Sequence, residues 1–328
     1  MKWQDVRQSK NVQDRRGQSS SRQTMGFPTS TGRSGSSGLG GGLLWLLLGR
    51  SSGKTKLLIF GLIILTMIFG SGGLSSVFDT SIYDQSIPPS SNVTEDQVTP
   101  SASQSASQTV TPLESTDEEV QFFSAVLATT EDFWHQMFAD QGATYREPQL
   151  VIYTGGTATG GCGYGSAQAG PFYCPADETI YIDLQFYRDL ETKYKAPGDF
   201  AMAYVIAHEV GHHVQKLDGT MQAYNNARQR LSTTRANELT VRLELQADYY
   251  AGAWAKYVDQ QGLLDVGDIE EALAAANAVG DDTLQKEAYG YVVPDSFTHG
   301  TSLQRRTWFM RGYEYGDFEH GDSFNTEI

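Results

Sequence analysis

The chain has 328 residues, a formal net charge of −15 and only two cysteines. Residues 1–56 hold ten basic and two acidic residues, a net charge of +8, which leaves −23 for residues 57–328. The strongly negative charge of residues 57–328 excludes nucleic acid as a partner of this part of the chain, because nucleic acid is bound by basic surfaces.

The N-terminal end is rich in Gly, Ser, Gln and Arg, which predicts a disordered basic tail over residues 1–56. Residues 57–78 carry no charge, and a helix of this length just crosses a hydrocarbon core of about 30 Å. A cleaved signal peptide is the alternative. However, the region before its apolar segment would be far too long, and no A-x-A-like cleavage site follows the segment. Basic residues beside a span stay cytoplasmic. The sequence therefore predicts a single-pass protein of the cell membrane, with a cytoplasmic N-terminus and an extracytoplasmic C-terminal domain.

A stretch rich in Ser, Thr, Gln and Pro predicts a linker over residues 79–116. The domain that follows, residues 117–328, begins with apolar residues at helical spacing and then has two segments typical of strands, 148–154 and 178–186. The remaining pattern is helical, over 199–217, 221–234, 237–259, 267–279 and 302–313. A small N-terminal sheet followed by a mainly helical remainder predicts the α+β class.

The two cysteines, Cys162 and Cys174, lie 12 residues apart in and after a glycine-rich segment. In a compartment outside the cytoplasm, an even pair of cysteines predicts a disulfide. A pair of metal ligands is the alternative reading. The chain has no C-x-x-C motif and no further cysteine to complete such a site, so we favour the disulfide.

One segment, "AYVIAHEVGHHVQ", contains the motif H-E-x-x-H at His208, Glu209 and His212. Residues i and i+4 of a helix lie on one face, so His208 and His212 can bind the same zinc ion. Glu209 can then reach a zinc-bound water and act as general base. A solvated helix that merely carries histidines is the alternative, but the motif is embedded in apolar residues, where unpaired His and Glu side chains are costly to bury. His213 points to another side of the helix, and we interpret it as structural or exposed.

A catalytic zinc site needs a third protein ligand. The later segment "LELQADYYAG" offers Glu244 and Asp248, again at i and i+4. We expect Glu244 to bind the metal and Asp248 to accept a hydrogen bond from the far nitrogen of a ligand histidine, which fixes its tautomer. The reverse assignment of these two carboxylates stays open.

His299, in "SFTHGTSLQRR", follows the metal-binding helices at a junction between a loop and a helix. A zinc hydrolase must stabilise the oxyanion that develops on the attacked carbonyl, and a histidine donor can share this task. His299 is therefore a candidate catalytic residue. The alternative is that it is only the neighbour of a helix cap. Arg305 is a candidate partner for a core carboxylate.

Several motifs in order, "NVQDRRG", "GPFYCPADETIYIDLQF", "AHEVGHHVQ", "ELQADYYAGAW" and "THGTSLQRR", resemble those of the bacterial neutral zinc metallopeptidase family. The resemblance implies a zincin-like domain with the H-E-x-x-H helix at its centre. On that pattern His208, His212 and Glu244 bind Zn²⁺, Glu209 is the base and Asp248 supports a ligand. The strand "TIYIDL" would be the sheet edge with which an extended substrate pairs.

These observations predict a membrane-anchored zinc endopeptidase, a hydrolase that acts on a peptide or protein substrate. Two alternatives remain. One is a non-catalytic envelope scaffold or binding module that keeps zinc for stability, and the other is an amide hydrolase that acts on cell-wall peptides. The sequence is silent on the oligomeric state.

Overall fold

A computed structural model describes residues 1–17, 117–166 and 170–328. The strands of this part are β1 (Val12–Asp14), β2 (Gln149–Tyr153), β3 (Gly156–Ala158), β4 (Tyr164–Ser166), β5 (Phe172–Cys174) and β6 (Thr179–Asp183). Four of them form one sheet in the order β1-β2-β6-β5. Strands β1, β2 and β6 run parallel, and β5 runs antiparallel to β6. Strands β3 and β4 form a separate antiparallel hairpin.

Helices make up most of the domain. They are α1 (Glu118–Asp140), α2 (Leu184–Thr192), α3 (Asp199–Leu217), α4 (Thr220–Arg228), α5 (Thr233–Gln260), α6 (Asp268–Ala278), α7 (Asp281–Tyr289) and α8 (Ser302–Tyr315), with 3₁₀ turns at Pro294–Ser296 and Glu319–Gly321. A small sheet and a mainly helical remainder confirm the predicted α+β class.

Helix α3 is the central element of the domain. Every residue from Phe200 to Gln215 is buried, because α5, α6 and α1 pack around it and the sheet lies against it. Such a helix is apolar on nearly all sides, as the sequence shows. The polar side chains of this helix, which include its three histidines, are therefore buried and need hydrogen-bond or ionic partners.

Helices α3 and α5 cross in close contact at Gly211. A Cβ atom at this position would lie 3.1 Å from both the Cα and the carbonyl oxygen of Ala247. A larger residue would therefore push the two helices apart. This crossing brings the H-E-x-x-H face of α3 against the face of α5 that carries Glu244.

The predicted disulfide is present. Cys162 and Cys174 are bonded, with their Cα atoms 5.9 Å apart. The bond joins the β3–β4 hairpin to the end of strand β5, so the glycine-rich segment is closed at its base as the sequence suggested.

The N-terminal residues correct the prediction of a disordered tail. Residues 12–14 form strand β1, which pairs with residues 150–152 of β2, and Met1 and Trp3 are buried in the main core. The polar composition of residues 1–17 gave no sign of this, because their order comes from contacts with residues more than 100 positions away. Residues 18–56, and the predicted linker over 79–116, lie outside the described residues.

The fold prediction also included a transmembrane helix, and this part is corrected. Within residues 1–17, 117–166 and 170–328, no helix combines the length and the apolar character needed to cross a bilayer. The two longest helices, α1 and α5, carry charged residues. The segment predicted to span, residues 57–78, lies outside the described residues.

The predicted substrate-pairing edge is wrong as well. The strand "TIYID" is β6, and it is internal: β2 pairs with one of its edges and β5 with the other. A strand with both edges paired has no backbone groups free for a substrate. Strand β5 ends the sheet on this side.

We predict that Asn11→Ala destabilises the domain. The Asn11 amide donates to the carboxylates of Glu131, at 2.9 Å, and Glu147, at 2.6 Å. Hydrogen bonds to charged groups are worth about 1.5–3 kcal/mol each. Thermal unfolding followed by circular dichroism should show a melting temperature lower by roughly 6–12 °C, since the two bonds together are worth at least about 3 kcal/mol and a domain of this size shifts by about 2–4 °C per kcal/mol. The control is Gln8→Ala, which removes an exposed amide of the same segment. Equal melting temperatures for the two variants would contradict the packing described for residues 1–17.

Candidate metal centre

His208 and His212 lie one turn apart on α3 and face the same side of the helix. Their rings are 4.9 Å apart between centroids, and both residues are buried, with 6% of their surface exposed. Each ring uses Nδ1 for a hydrogen bond within the protein. The Nε2 atoms are therefore the ones turned to a common point.

Glu244 of α5 completes a three-residue set around that point. Its carboxylate oxygens lie 3.3 Å from Nε2 of His208 and 3.5 Å from Nε2 of His212, and the three ligand atoms all lie within 4.8 Å of one another. Two ligand atoms at about 2.1 Å from zinc in tetrahedral geometry are about 3.4 Å apart. Two imidazoles and one carboxylate at these separations fit Zn²⁺, with one coordination position left for water or substrate.

Asp248 orients His208 and does not face the ligand atoms. Its Oδ1 accepts a hydrogen bond from Nδ1 of His208, at 2.8 Å, and another from the Tyr204 hydroxyl. The guanidinium of Arg305 bonds to both carboxylate oxygens, at 2.8 and 2.9 Å. With both oxygens occupied in this way, Asp248 has the supporting role and Glu244 the position of a ligand. Arg305 is therefore the partner of a core carboxylate, as predicted from the sequence.

His212 has a comparable support, Gln215, which the sequence analysis missed. Nδ1 of His212 lies 2.9 Å from Oε1 of Gln215. The Gln215 amide nitrogen donates to the Leu243 carbonyl and to Oε1 of Gln246, which fixes the orientation of the amide so that its oxygen faces the ring. The sequence signal that could have identified Gln215 was its spacing of three residues from His212, since residues i and i+3 share a helix face.

Electrostatics in the centre follow from burial and close charges. Burial disfavours the protonated form of His208, but the Asp248 carboxylate outweighs burial and raises the pKa of His208 to about 9. Burial works against ionisation of Glu244, yet the two histidines hold the pKa of its carboxyl well below the usual value. Zinc binds neutral imidazole and ionised carboxylate, so binding displaces a proton from this set.

Glu209 is buried beside the ligand set but is not tied to it. It is 8% exposed and forms no hydrogen bond or ion pair with any residue that the structure describes. Burial raises the pKa of its carboxyl, and the nearby charges of His212 and His208 partly offset this. A carboxylate with a raised pKa and no fixed partner is suited to exchange a proton with a water molecule.

His299 lies near the ligand set, on the turn between α7 and α8. The turn packs on α5 close in sequence to Glu244, because a Cβ at Gly300 would lie 3.1 Å from Val241 and 3.4 Å from Leu245. Burial lowers the pKa of the His299 imidazole, but the Asp281 carboxylate and then Glu244 outweigh it and raise the pKa above its usual value. The negative charge of Glu244, the candidate metal ligand, therefore acts on the His299 ring.

Asp281 organises this turn, and the sequence analysis did not identify it. One of its oxygens accepts hydrogen bonds from the backbone N–H groups of three consecutive residues, 298 to 300, at 2.6, 2.6 and 3.2 Å. Its other oxygen lies 3.2 Å from Nδ1 of the His299 ring. The ring is consequently fixed to the turn on its Nδ1 side.

The remaining histidines stand apart from the centre. His213 points away from the ligand set and bridges the Tyr173 hydroxyl, at 2.9 Å, and the Arg146 carbonyl, at 2.6 Å; burial lowers its pKa to about 4. This neutral imidazole ties α3 to strand β5 and agrees with the structural interpretation. His135 pairs with Glu147 and His320 with Asp317 at the surface.

Comparison with known proteins agrees with this geometry. The family model described as "Putative neutral zinc metallopeptidase" matches residues 1–324. The chain belongs to this family. The match includes residues 1–17 and the domain up to residue 324, and therefore every residue of the metal centre.

Curated relatives match either the full length of the chain or a part of it. The chain is 44% identical over 328 residues to "Uncharacterized protein YpfJ" of Escherichia coli K12, and the alignment covers all of both chains. It is 43% identical over 192 residues to "Uncharacterized protein Rv2575" of Mycobacterium tuberculosis, which covers 55% of this chain and 64% of the relative. "Uncharacterized protein Mb2605" of Mycobacterium bovis matches to the same extent. No solved structure matches.

We predict that zinc binding depends on the three ligands and, less strongly, on Gln215. His208→Ala, His212→Ala and Glu244→Gln should each abolish stoichiometric zinc, measured by elemental analysis of purified protein. Gln215→Leu should lower zinc affinity by about 10–100-fold, because it leaves the His212 ring unoriented. His135→Ala, which removes an exposed histidine, is the control and should bind zinc like the parent. Full zinc in Glu244→Gln would mean that Glu244 is not a ligand.

Proposed function

We propose that the protein is a zinc-dependent endopeptidase. The observation that carries the proposal is Glu209, a buried carboxylate next to a three-ligand set and without a bonded partner of its own among the described residues. A purely structural zinc site has four protein ligands and no use for such a group. Membership of the zinc metallopeptidase family supports hydrolase chemistry at this site.

Zn²⁺ held by His208, His212 and Glu244 would polarise the scissile carbonyl and lower the pKa of a bound water towards 7. The protein's own groups then handle the protons. Glu209 takes a proton from the attacking water and delivers it to the leaving amine, which its raised pKa favours. Asp248 and Gln215 keep the Nδ1 protons on the ligand histidines, so that Nε2 presents its lone pair.

His299 is proposed to stabilise the oxyanion. Its Nδ1 side is bound to Asp281, whereas Nε2 has no hydrogen-bond partner within the part of the chain that the structure describes. With its pKa raised, the ring holds a proton on both nitrogens to a higher pH than a free histidine, so Nε2 donates to the developing negative charge. Asp281 is the positioning residue, since it acts only through the turn and the ring.

The substrate is proposed to be an extended peptide that pairs with strand β5. This strand has β6 on one side and no partner on the other side among the described strands. Tyr173 of β5 bonds to His213, the neighbour of His212 on α3. This bond ties β5 to the helix that carries His208 and His212, and we propose that a peptide added to this edge reaches the metal centre. Main-chain pairing gives affinity with little dependence on sequence.

The disulfide supports a location for this activity. A bond between Cys162 and Cys174 persists in oxidising compartments and is rare in the cytosol. We therefore propose that the domain works outside the cytoplasm.

Glu209→Gln should retain zinc and lose peptide cleavage. Glutamine keeps the size of the side chain but cannot accept the proton, so the rate should fall by at least about 100-fold. Full-length parent and variant are compared by zinc content and by mass spectrometry of a diverse peptide pool.

The control for this substitution is Glu238→Gln, the same change at an exposed position of α5. Cleavage by Glu209→Gln at the parent rate would eliminate the proposed base. Zinc in every protein with no cleavage by the parent would favour the scaffold alternative or, if cell-wall peptides are cut instead, the amide hydrolase.

We predict that His299→Ala lowers kcat by about 10²–10³ with KM and zinc content nearly unchanged. Asp281→Asn should lower kcat less, because asparagine still offers an oxygen to the backbone of the turn. Loss of the Asp281 charge lowers the pKa of His299, so the alkaline fall of the kcat profile should move to lower pH. Glu244 and Arg305, the other charges near the ring, are unchanged in this variant.

Thermal unfolding separates this role from a structural one. If Asp281→Asn lost activity only because the domain unfolds, its melting temperature would fall and its pH profile would keep the parent shape. An unshifted alkaline limb in a stable variant would contradict the role given to Asp281.

A further inference from the structure

Glu131 of helix α1 is a buried carboxylate, and its hydrogen-bonding and ionic partners among the described residues all come from the distant N-terminal segment. It is 1% exposed. It accepts hydrogen bonds from the Ser9 hydroxyl at 2.5 Å and the Asn11 amide at 2.9 Å, and it forms an ion pair with Arg7 at 2.9 Å. Without residues 1–17 this carboxylate would lose the three groups that neutralise it and accept its hydrogen bonds.

The backbone of the same segment is part of the main sheet. Strand β1 supplies the neighbour of β2, and the N–H of Leu150 donates to the Asn11 carbonyl at 2.8 Å while the N–H of Arg15 donates to the Ile152 carbonyl at 2.8 Å. Among the described strands, β2 has no other partner on that side. Removal of the segment would expose a buried, apolar strand edge.

Apolar and ionic contacts fix the segment at both ends. The Trp3 ring is buried and meets Phe122 of α1 edge-to-face, with centroids 5.8 Å apart. At the other end, Arg16 forms an ion pair with Asp117 at 2.7 Å, at the residue that caps α1. The segment therefore contributes a core side chain, a strand and the counter-charges of two acidic residues.

We propose that residues 1–17 are a permanent structural part of the catalytic domain and lie in the same cellular compartment as that domain. The strands of one ladder cannot lie on opposite sides of a bilayer, because their hydrogen bonds require direct contact. This replaces the arrangement predicted from charge, with a cytoplasmic N-terminus and an extracytoplasmic domain. The proposal rests on packing alone and stands whether or not the protein is a peptidase.

Thiol labelling of the full chain tests this directly. Lys10→Cys and Asp140→Cys each place one cysteine at an exposed position, the first in the N-terminal segment and the second at the end of α1. The two native cysteines are bonded to each other and do not react. Spheroplasts are treated with a membrane-impermeant maleimide, and the labelled fraction is normalised to that after permeabilisation.

We expect the two variants to behave alike, both labelled in intact spheroplasts or both protected until permeabilisation. Labelling of one variant with protection of the other would overturn the proposal. The parent chain reports background labelling, and thermal unfolding shows that each variant keeps its fold. If both are labelled before permeabilisation, the result also supports the extracytoplasmic location inferred from the disulfide. If both are protected, the shared compartment stands and that location falls.

Discussion

The metal centre depends on how closely helices α3 and α5 approach each other. Neither helix alone holds a complete set of ligands: α3 brings two imidazoles and α5 brings the carboxylate. The missing side chain at Gly211 lets the α5 backbone at Ala247 come within van der Waals contact, and this separation sets the 3.3 and 3.5 Å gaps between Glu244 and the two Nε2 atoms. Interiors packed at this density transmit small displacements, so a larger residue at Gly211 would alter the site without touching a ligand.

A second set of contacts fixes the direction in which the ligands point. Asp248 from α5, Tyr204 from α3 and Arg305 from α8 form a hydrogen-bonded group behind His208. Buried ion pairs contribute little net stability, because desolvation offsets their attraction. Their value here is geometric: the group joins three helices and holds His208 in one tautomer. Burial and the Arg305 charge act in opposite directions on Asp248, and the charge prevails, which keeps the pKa of that carboxyl at about 2.

The parts of the fold that the sequence predicted are those with a local signal. The apolar surroundings of H-E-x-x-H predicted helix 199–217, which the structure has with the same bounds, and the i, i+4 spacing predicted which residues face one another. Helix α2 was missed because its first residues continue the apolar pattern of β6; the chain turns there because Asp183 caps the helix by accepting the N–H of Gln185. The order of the strands, which makes β5 and not β6 the edge, has no signature in a single sequence.

The disorder predicted for residues 1–17 was wrong for a related physical reason. Arg7 and Arg16 were counted as charges that set membrane topology, because basic residues in a polar, glycine-rich stretch are usually solvated. In the structure each of them meets carboxylates of the domain: Arg7 contacts Glu131 and Asp132, and Arg16 contacts Asp14 and Asp117. Charge composition records the number of basic residues but not their partners. A single sequence therefore does not show which of its basic residues are solvated and which are bound to carboxylates more than 100 residues away.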